Sequence, residues 1–274
     1  MDSNRHFSPL LICHGMLGSR HNWTSMAKQI HKKTGRRVLT VDARNHGDSP
    51  HTDTMSYPLM GSSEIKYFIL KDLKLGPVVS IMGHSMGGRT AMMLSMLEQQ
   101  IVKIDRVVIV DISPVNQKFD VTSSNEWNME HYFHCLKNVT FDQSMKISEA
   151  RKFADTQLSL RIPDAALRSW LLMNMRQDFK TREIGWRINI DGIHAAFKSE
   201  IATIKFTENC VPLYPGPSLF VGGADSEYIP LSDHEEIRER FPEAIFKYVP
   251  GAGHWVHSQK PAEFLNTILP FLKE

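Results

Sequence analysis

The pentad Gly83-His84-Ser85-Met86-Gly87 fits G-x-S-x-G and lies between a short apolar run and a helix-period run. In that context a sharp strand-to-helix turn lifts the serine hydroxyl above a sheet as a nucleophile. Glycine is expected at both ends, because side chains there would meet the adjoining strand and helix. By composition alone about 0.1 such matches arise per chain of this length, so the pentad needs company. His14-Gly15-Met16-Leu17-Gly18 follows the apolar run at 10 to 13 and opens toward a helix. There the backbone N–H groups of Met16 and Met86 would face a developing oxyanion. On its own, the segment also reads as an ordinary glycine-rich turn.

A hydroxyl needs a base. With 13 histidines in the chain, position decides, and His254 in Gly251-Ala-Gly-His-Trp255 comes directly after the last expected strand. The order Ser, Asp, His then matches this hydrolase architecture. His14 and His84 flank the site as orienting or packing groups. Three aspartates compete as the acid. Asp225, in Gly222-Gly-Ala-Asp-Ser226, occupies the usual place after its strand; Asp111 ends the strand at 107 to 110; Asp191 lies farther off in an inserted segment. Plainer roles for the first two are a loop turn and capping of the Ser113-Pro114 turn. The chemistry these residues support is acyl transfer through a Ser-His-Asp triad, with no metal or organic cofactor.

Elements that could hold such residues are visible in the pattern. Strands are expected at about 9 to 13, 37 to 41, 78 to 82, 107 to 110, 218 to 222 and 245 to 249, with helix-period runs between them. Gly35 ends one helix, Gly76-Pro77 ends another over 58 to 74, and Pro261 opens the last. This alternation predicts an α/β fold with a mostly parallel sheet flanked by helices. The hundred residues between the strands at 110 and 218 are too many for a loop. Helical patterns near 125 to 137, 145 to 159, 164 to 177 and 192 to 206 make them an inserted helical cap. The division is 1–111 and 208–274 for the core and 112–207 for the cap. Four consecutive apolar residues, Trp170 to Met173, exceed what one helix face buries, so either part of that helix lines an apolar acyl pocket, with Met60 opposite, or the cap helices pack on one another.

The stretch Gly35-Arg-Arg-Val-Leu-Thr-Val-Asp-Ala-Arg-Asn-His-Gly-Asp-Ser-Pro50, with Gly83 to Gly88, Val110-Asp-Ile-Ser-Pro114 and Ala252 to Trp255, resembles the α/β-hydrolase domain-containing protein 11 group and its bacterial YbfF-type esterase relatives. The resemblance covers nearly the whole chain. It implies the α/β-hydrolase fold and hydrolysis of esters or thioesters, with Ser85 as nucleophile, His254 as base and Asp111 as acid, since relatives often lack a carboxylate at the position of Asp225. For animal members it further implies mitochondria, lipid esters and an association with lipoylated 2-oxoacid dehydrogenase complexes. Members usually carry two further strands before the His-Gly loop, a hairpin that is not expected within the 13 residues preceding His14 here.

Composition excludes other classes. The chain has 274 residues, 42% of them hydrophobic, and 32 basic against 30 acidic side chains, a net charge of +2. Without a basic run, nucleic acid is not an expected partner. Cys13, Cys135 and Cys210 are odd in number and far apart, the usage of a reducing, intracellular compartment; the cytoplasm is the alternative to the mitochondrial setting that the resemblance implies. Residues 1 to 9 carry neither a secretory apolar region nor an Arg-rich presequence, and no apolar run reaches the ~20 residues of a membrane span. Two alternatives stay open: a carbon–carbon bond hydrolase on the same fold, and a hydrolase-like binding protein without turnover.

Overall fold

A computed structural model describes residues 7–57, 60, 78–97, 103–115, 129–204 and 213–274. Along the chain come β1 (Leu10–Cys13), α1 (Thr24–Thr34), β2 (Val38–Val41), β3 (Val78–His84), α2 (Met86–Leu97) and β4 (Lys103–Val110). An insertion follows, with α3 (Met129–Lys137), α4 (Ile147–Ser159), α5 (Ala165–Leu171), a short hairpin of β5 (Met175–Gln177) and β6 (Ile184–Trp186), and α6 (Ile190–Ala196). The chain then returns to β7 (Ser218–Gly223), α7 (His234–Arg240), β8 (Ala244–Val249), α8 (Val256–Gln259) and α9 (Pro261–Leu272).

The main sheet runs β2-β1-β3-β4-β7-β8, and every neighbouring pair is parallel. Parallel strands need both faces covered. Leu10, Ile12, Met82, Val108, Val110 and Leu219 accordingly point into one cluster with α1 and α9. Leu11, Val79, Ile81, Val107, Ile109 and Phe220 point into the other, shared with α2 and the insertion. In α9 the expected apolar residues Phe264, Leu265, Ile268, Phe271 and Leu272 are all buried. Each such side chain contributes about 1.5–3 kcal/mol relative to exposure. The chain winds outward from β1 to β2 and then resumes at β3 on the other side of β1. Ligands of open α/β sheets bind at the carboxyl ends of the strands beside such a reversal.

The insertion departs from expectation in detail. The helix expected over 164 to 177 stops after α5 and one 3-10 turn, and residues 175–177 pair antiparallel with 184–186 instead. Met175 is buried there, so an apolar spacing that continues the helical period serves a strand. The helix expected over 192 to 206 is α6 followed by a wider π turn over Phe197–Ile201. Helix α7 has no counterpart among the expectations. The helix expected over 58 to 74 falls almost wholly outside the described residues. Met60 lies inside them and is buried in the core, away from the cavity described below. Among the described residues no helix is long and apolar enough to cross a membrane.

Candidate active site

Ser85 sits between β3 and α2 with φ of 52°, a left-handed backbone that is strained for a side-chain-bearing residue. Its N–H donates to Val110 O at 3.0 Å, which ties the turn to the end of β4. The turn exists only because the flanking glycines lack side chains. A Cβ on Gly83 would come within 2.0 Å of Gly87 O, and one on Gly87 within 2.4 Å of Cys13 O. Ser85 itself is half-buried and opens into a cavity of about 1120 Å³.

His254, which is 8% exposed, lines the same cavity. Its Nδ1 lies 2.8 Å from Asp111 Oδ2. A carboxylate accepts, so Nδ1 carries a proton in this bond, the tautomer that in a neutral ring makes Nε2 the acceptor. Asp111 is fully buried at the end of β4, where its N–H continues the ladder to Val221 O and its φ is 50°. Gly223 N–H donates to Oδ1 at 2.9 Å, and Ser226 Oγ approaches Oδ2 at 2.5 Å. Asp225 is exposed on the loop after β7, its backbone bonded to Ala252 O. Asp191 is 88% exposed and pairs with Lys137 at 2.7 Å. Of the three candidate acids, the structure brings Asp111 alone onto the histidine.

His84, expected as an orienting or packing group, both bonds to His254 and packs on its ring. Its Nε2–H donates to His254 O at 2.9 Å, and its ring packs between those of His254 and His257. Burial, then the neighbouring His254 and His257, hold its pKa well below the usual histidine value.

The glycine-rich loop at 14 to 18 is gripped from the loop after β2. His14 Nε2 accepts from Ala43 N–H at 3.0 Å while its Nδ1–H donates to Gly15 O. His46 Nε2 accepts from Leu17 N–H at 3.1 Å while its Nδ1–H donates to Arg44 O. Both imidazoles must be neutral to accept, and burial pushes His46 down to about 3. Asp42 receives the N–H groups of Arg20 and Asp48; burial raises its pKa, but these bonds outweigh it and hold the carboxyl below the usual range. From the insertion, Asn174 Nδ2 donates to Leu17 O at 2.7 Å. Met16 and Met86 both line the cavity with Ser85, Met86 at the first residue of α2.

Trp170 and Leu167 of α5 line the cavity with Ile162, Phe197 and Ile201. Leu171 and Leu172 are core residues and Met173 is exposed, so the apolar run at 170 to 173 divides among three environments. Ser226, Asn174 and Arg89 are absent from the sequence expectations. Arg89 had a signal, being the one charged residue on an apolar helix. Its buried guanidinium donates to Ser113 O, Val115 O and Ala202 O, joining the two points where the insertion leaves and rejoins the core.

Strand order, a nucleophile elbow after β3 and a histidine supplied from beyond the last strand are the architecture of the α/β-hydrolases. The family model described as the alpha/beta hydrolase fold matches residues 8–261. Among curated proteins, the sn-1-specific diacylglycerol lipase ABHD11 of Xenopus laevis is 41% identical over 97% of this chain and 80% of its own length. Esterase YbfF of Escherichia coli (strain K12) is 28% identical over 97% of this chain and 94% of its own. A solved marine microorganism esterase superposes with a TM-score of 0.84 at 35% identity, covering 97% of this chain and 95% of that one. The chain belongs to the α/β-hydrolase fold family and, within it, to the ABHD11 group.

Proposed function

We propose that the protein is a serine carboxylic ester hydrolase that cleaves lipid-like acyl esters or thioesters through an acyl-enzyme, with Ser85 as nucleophile, His254 as general base and Asp111 as acid. The observation that carries this reading is the 2.8 Å bond from His254 Nδ1–H to the buried Asp111 carboxylate, beside the strained Ser85 turn on one cavity. His254 Nε2 takes the Ser85 proton as Oγ attacks the acyl carbonyl, and Asp111 stabilises the imidazolium that forms. The N–H groups of Met16 and Met86 hold the oxyanion; one such donor is worth about 2.7–4 kcal/mol in the transition state. His254 then gives the proton to the leaving alcohol or thiol, and water releases the acyl group by the same route in reverse.

Residues 112–207 serve in this reading as a cap over the strand ends. The aromatic and aliphatic wall of Trp170, Leu167, Phe197 and Ile201 suits an acyl chain, in keeping with relatives named lipase and esterase. The mitochondrial setting and the dehydrogenase-complex association are parts of the proposal that rest on family likeness. The test is hydrolysis of aryl esters of increasing acyl length, with Ser85→Ala as blank. Medium chains should exceed acetyl in kcat/KM, and Trp170→Ala should reduce that preference; a wild-type preference for acetyl contradicts the acyl pocket.

A further inference from the structure

Helix α2 carries its single charged residue in its first turn, and that residue is a cation. Arg89 N–H donates to Ser85 O at 3.1 Å, so Arg89 follows the nucleophile by one helical turn, about 5.4 Å along the axis. The place is unfavourable for a positive charge on two counts. The first turn already presents the positive end of the helix dipole and holds no acidic residue against it. The side chain is also only 2% exposed, and a buried charge costs free energy unless it is paired.

Arg89 is bonded without being neutralised. It donates to Ala202 O at 2.7 Å, to Ser113 O at 3.3 Å and to Val115 O at 3.4 Å, and the last two are longer than the roughly 2.7–3.2 Å usual for such bonds. The guanidinium has further donors, and the Tyr57 hydroxyl, itself donating to Ile201 O at 2.7 Å, stands beside it. Among the described residues no carboxylate pairs with Arg89. Those that line the same cavity are placed elsewhere: Glu130 meets His194 at 2.8 Å, Asp164 caps α5, and Asp225 and Glu227 are exposed on the loop after β7. Arg89 and Tyr57 line the cavity together with Phe197 and Ile201 of the wall that suits an acyl chain.

We propose that Arg89, with Tyr57, binds a carboxylate at the far end of the acyl chain, so that the preferred acyl groups are those of short dicarboxylic acids, esterified or thioesterified at one end. This rests on the triad reading above and deepens it. With the acyl carbonyl at Ser85 and the second carboxylate at Arg89, the two ends of the acyl group lie one helical turn apart, a span for a short chain. The stretch between them runs along apolar wall, where little water screens the charge pair and its attraction is stronger than at a surface. The carboxylate supplies the counter-charge that the described residues do not, and the planar fork of the guanidinium suits its two oxygens.

The experiment measures kcat/KM for the mono-p-nitrophenyl esters of succinic, glutaric and adipic acids, each against the p-nitrophenyl alkanoate of the same carbon number. Wild type, Arg89→Gln and Arg89→Lys are compared, and the rate with Ser85→Ala is subtracted to remove spontaneous and intramolecular hydrolysis. A charge-assisted bond in a buried site should favour at least one half-ester over its alkanoate by about tenfold in wild type. Arg89→Gln, which has no charge, should bring that ratio to one or below. Arg89→Lys, a point charge without the fork, should lower it several-fold, and it carries the test if the glutamine variant does not fold. A wild-type ratio of one or below at every chain length overturns the proposal, as does a half-ester preference that survives in the folded variant. Alkanoate hydrolysis at the wild-type rate in Ser85→Ala would remove the triad reading itself, a result distinct from a serine-dependent enzyme that ignores the second carboxylate.

Discussion

Asp111 receives three donors and shows no surface to solvent, a setting built for a fixed negative charge. If that charge orients His254, Asp111→Asn should lower kcat by about ten-thousand-fold with the fold intact, because the imidazole loses its productive tautomer. Asp225→Asn should leave kcat within about threefold, since an exposed loop carboxylate costs little when lost. Measured kcat and Tm for both variants decide it, and an inactive Asp225→Asn beside an active Asp111→Asn would reverse the assignment. Ser85 and His254 are legible in the sequence because glycine spacing and chain order mark them. The acid is not, because Asp111 and Asp225 both end or follow parallel strands. What separates them is register: Asp111 N–H bonds to Val221 O, which sets its carboxylate beside Gly223 and under the imidazole. Ser226 was hidden by the aspartate preceding it.

At the scale of elements, the two loops that follow β1 and β2 form one device. His14 and His46 cross between them, each accepting an N–H from the opposite loop, and Asn174 closes the third side. His46→Ala leaves the buried Leu17 N–H without its acceptor, a loss of about 1–3 kcal/mol of stability. Because Met16 precedes Leu17, kcat should fall more than KM rises; kinetics and thermal unfolding of this variant measure both, and unchanged kcat would separate the loop from catalysis. The residues from Asp42 to Pro50 stand out in the sequence as a signature, yet their reason is spatial: they hold a loop that begins 28 residues earlier, at His14. The inner strands β1, β3, β4 and β7 are legible because burial on both faces forces largely apolar runs. The β5–β6 hairpin is not, since three residues per strand are too few for an alternation to show, and Met175 extends the spacing of α5. Helix α7 hides for a different reason: only Ile237 of its seven residues is buried, too little to mark a face.

Across the whole molecule, buried neutral histidines link stability to pH. His46 and His257 are each pushed down to about 3 by burial, against an ordinary value of 6.5. Below about pH 6.5 the unfolded chain binds protons that the native state refuses until about pH 3, so stability present above that range is lost as pH falls. Each histidine adds a slope of about 1.4 kcal/mol per pH unit within that window. Denaturant unfolding between pH 7 and 5 should show the decline, and His257→Phe, which keeps a ring on Trp23, should make it shallower; an unchanged slope would mean that His257 takes up its proton while folded. The same α/β frame that buries these rings brings β1, β3, β4 and β8 to one edge, where their loops carry the proposed oxyanion donors, nucleophile, acid and base. The most direct test of that assembly is labelling with a fluorophosphonate followed by peptide mass spectrometry. The account predicts a single adduct, on Ser85, lost in Ser85→Ala and slowed by orders of magnitude in His254→Ala. An adduct on another serine, or labelling of Ser85 at an undiminished rate without His254, would contradict it.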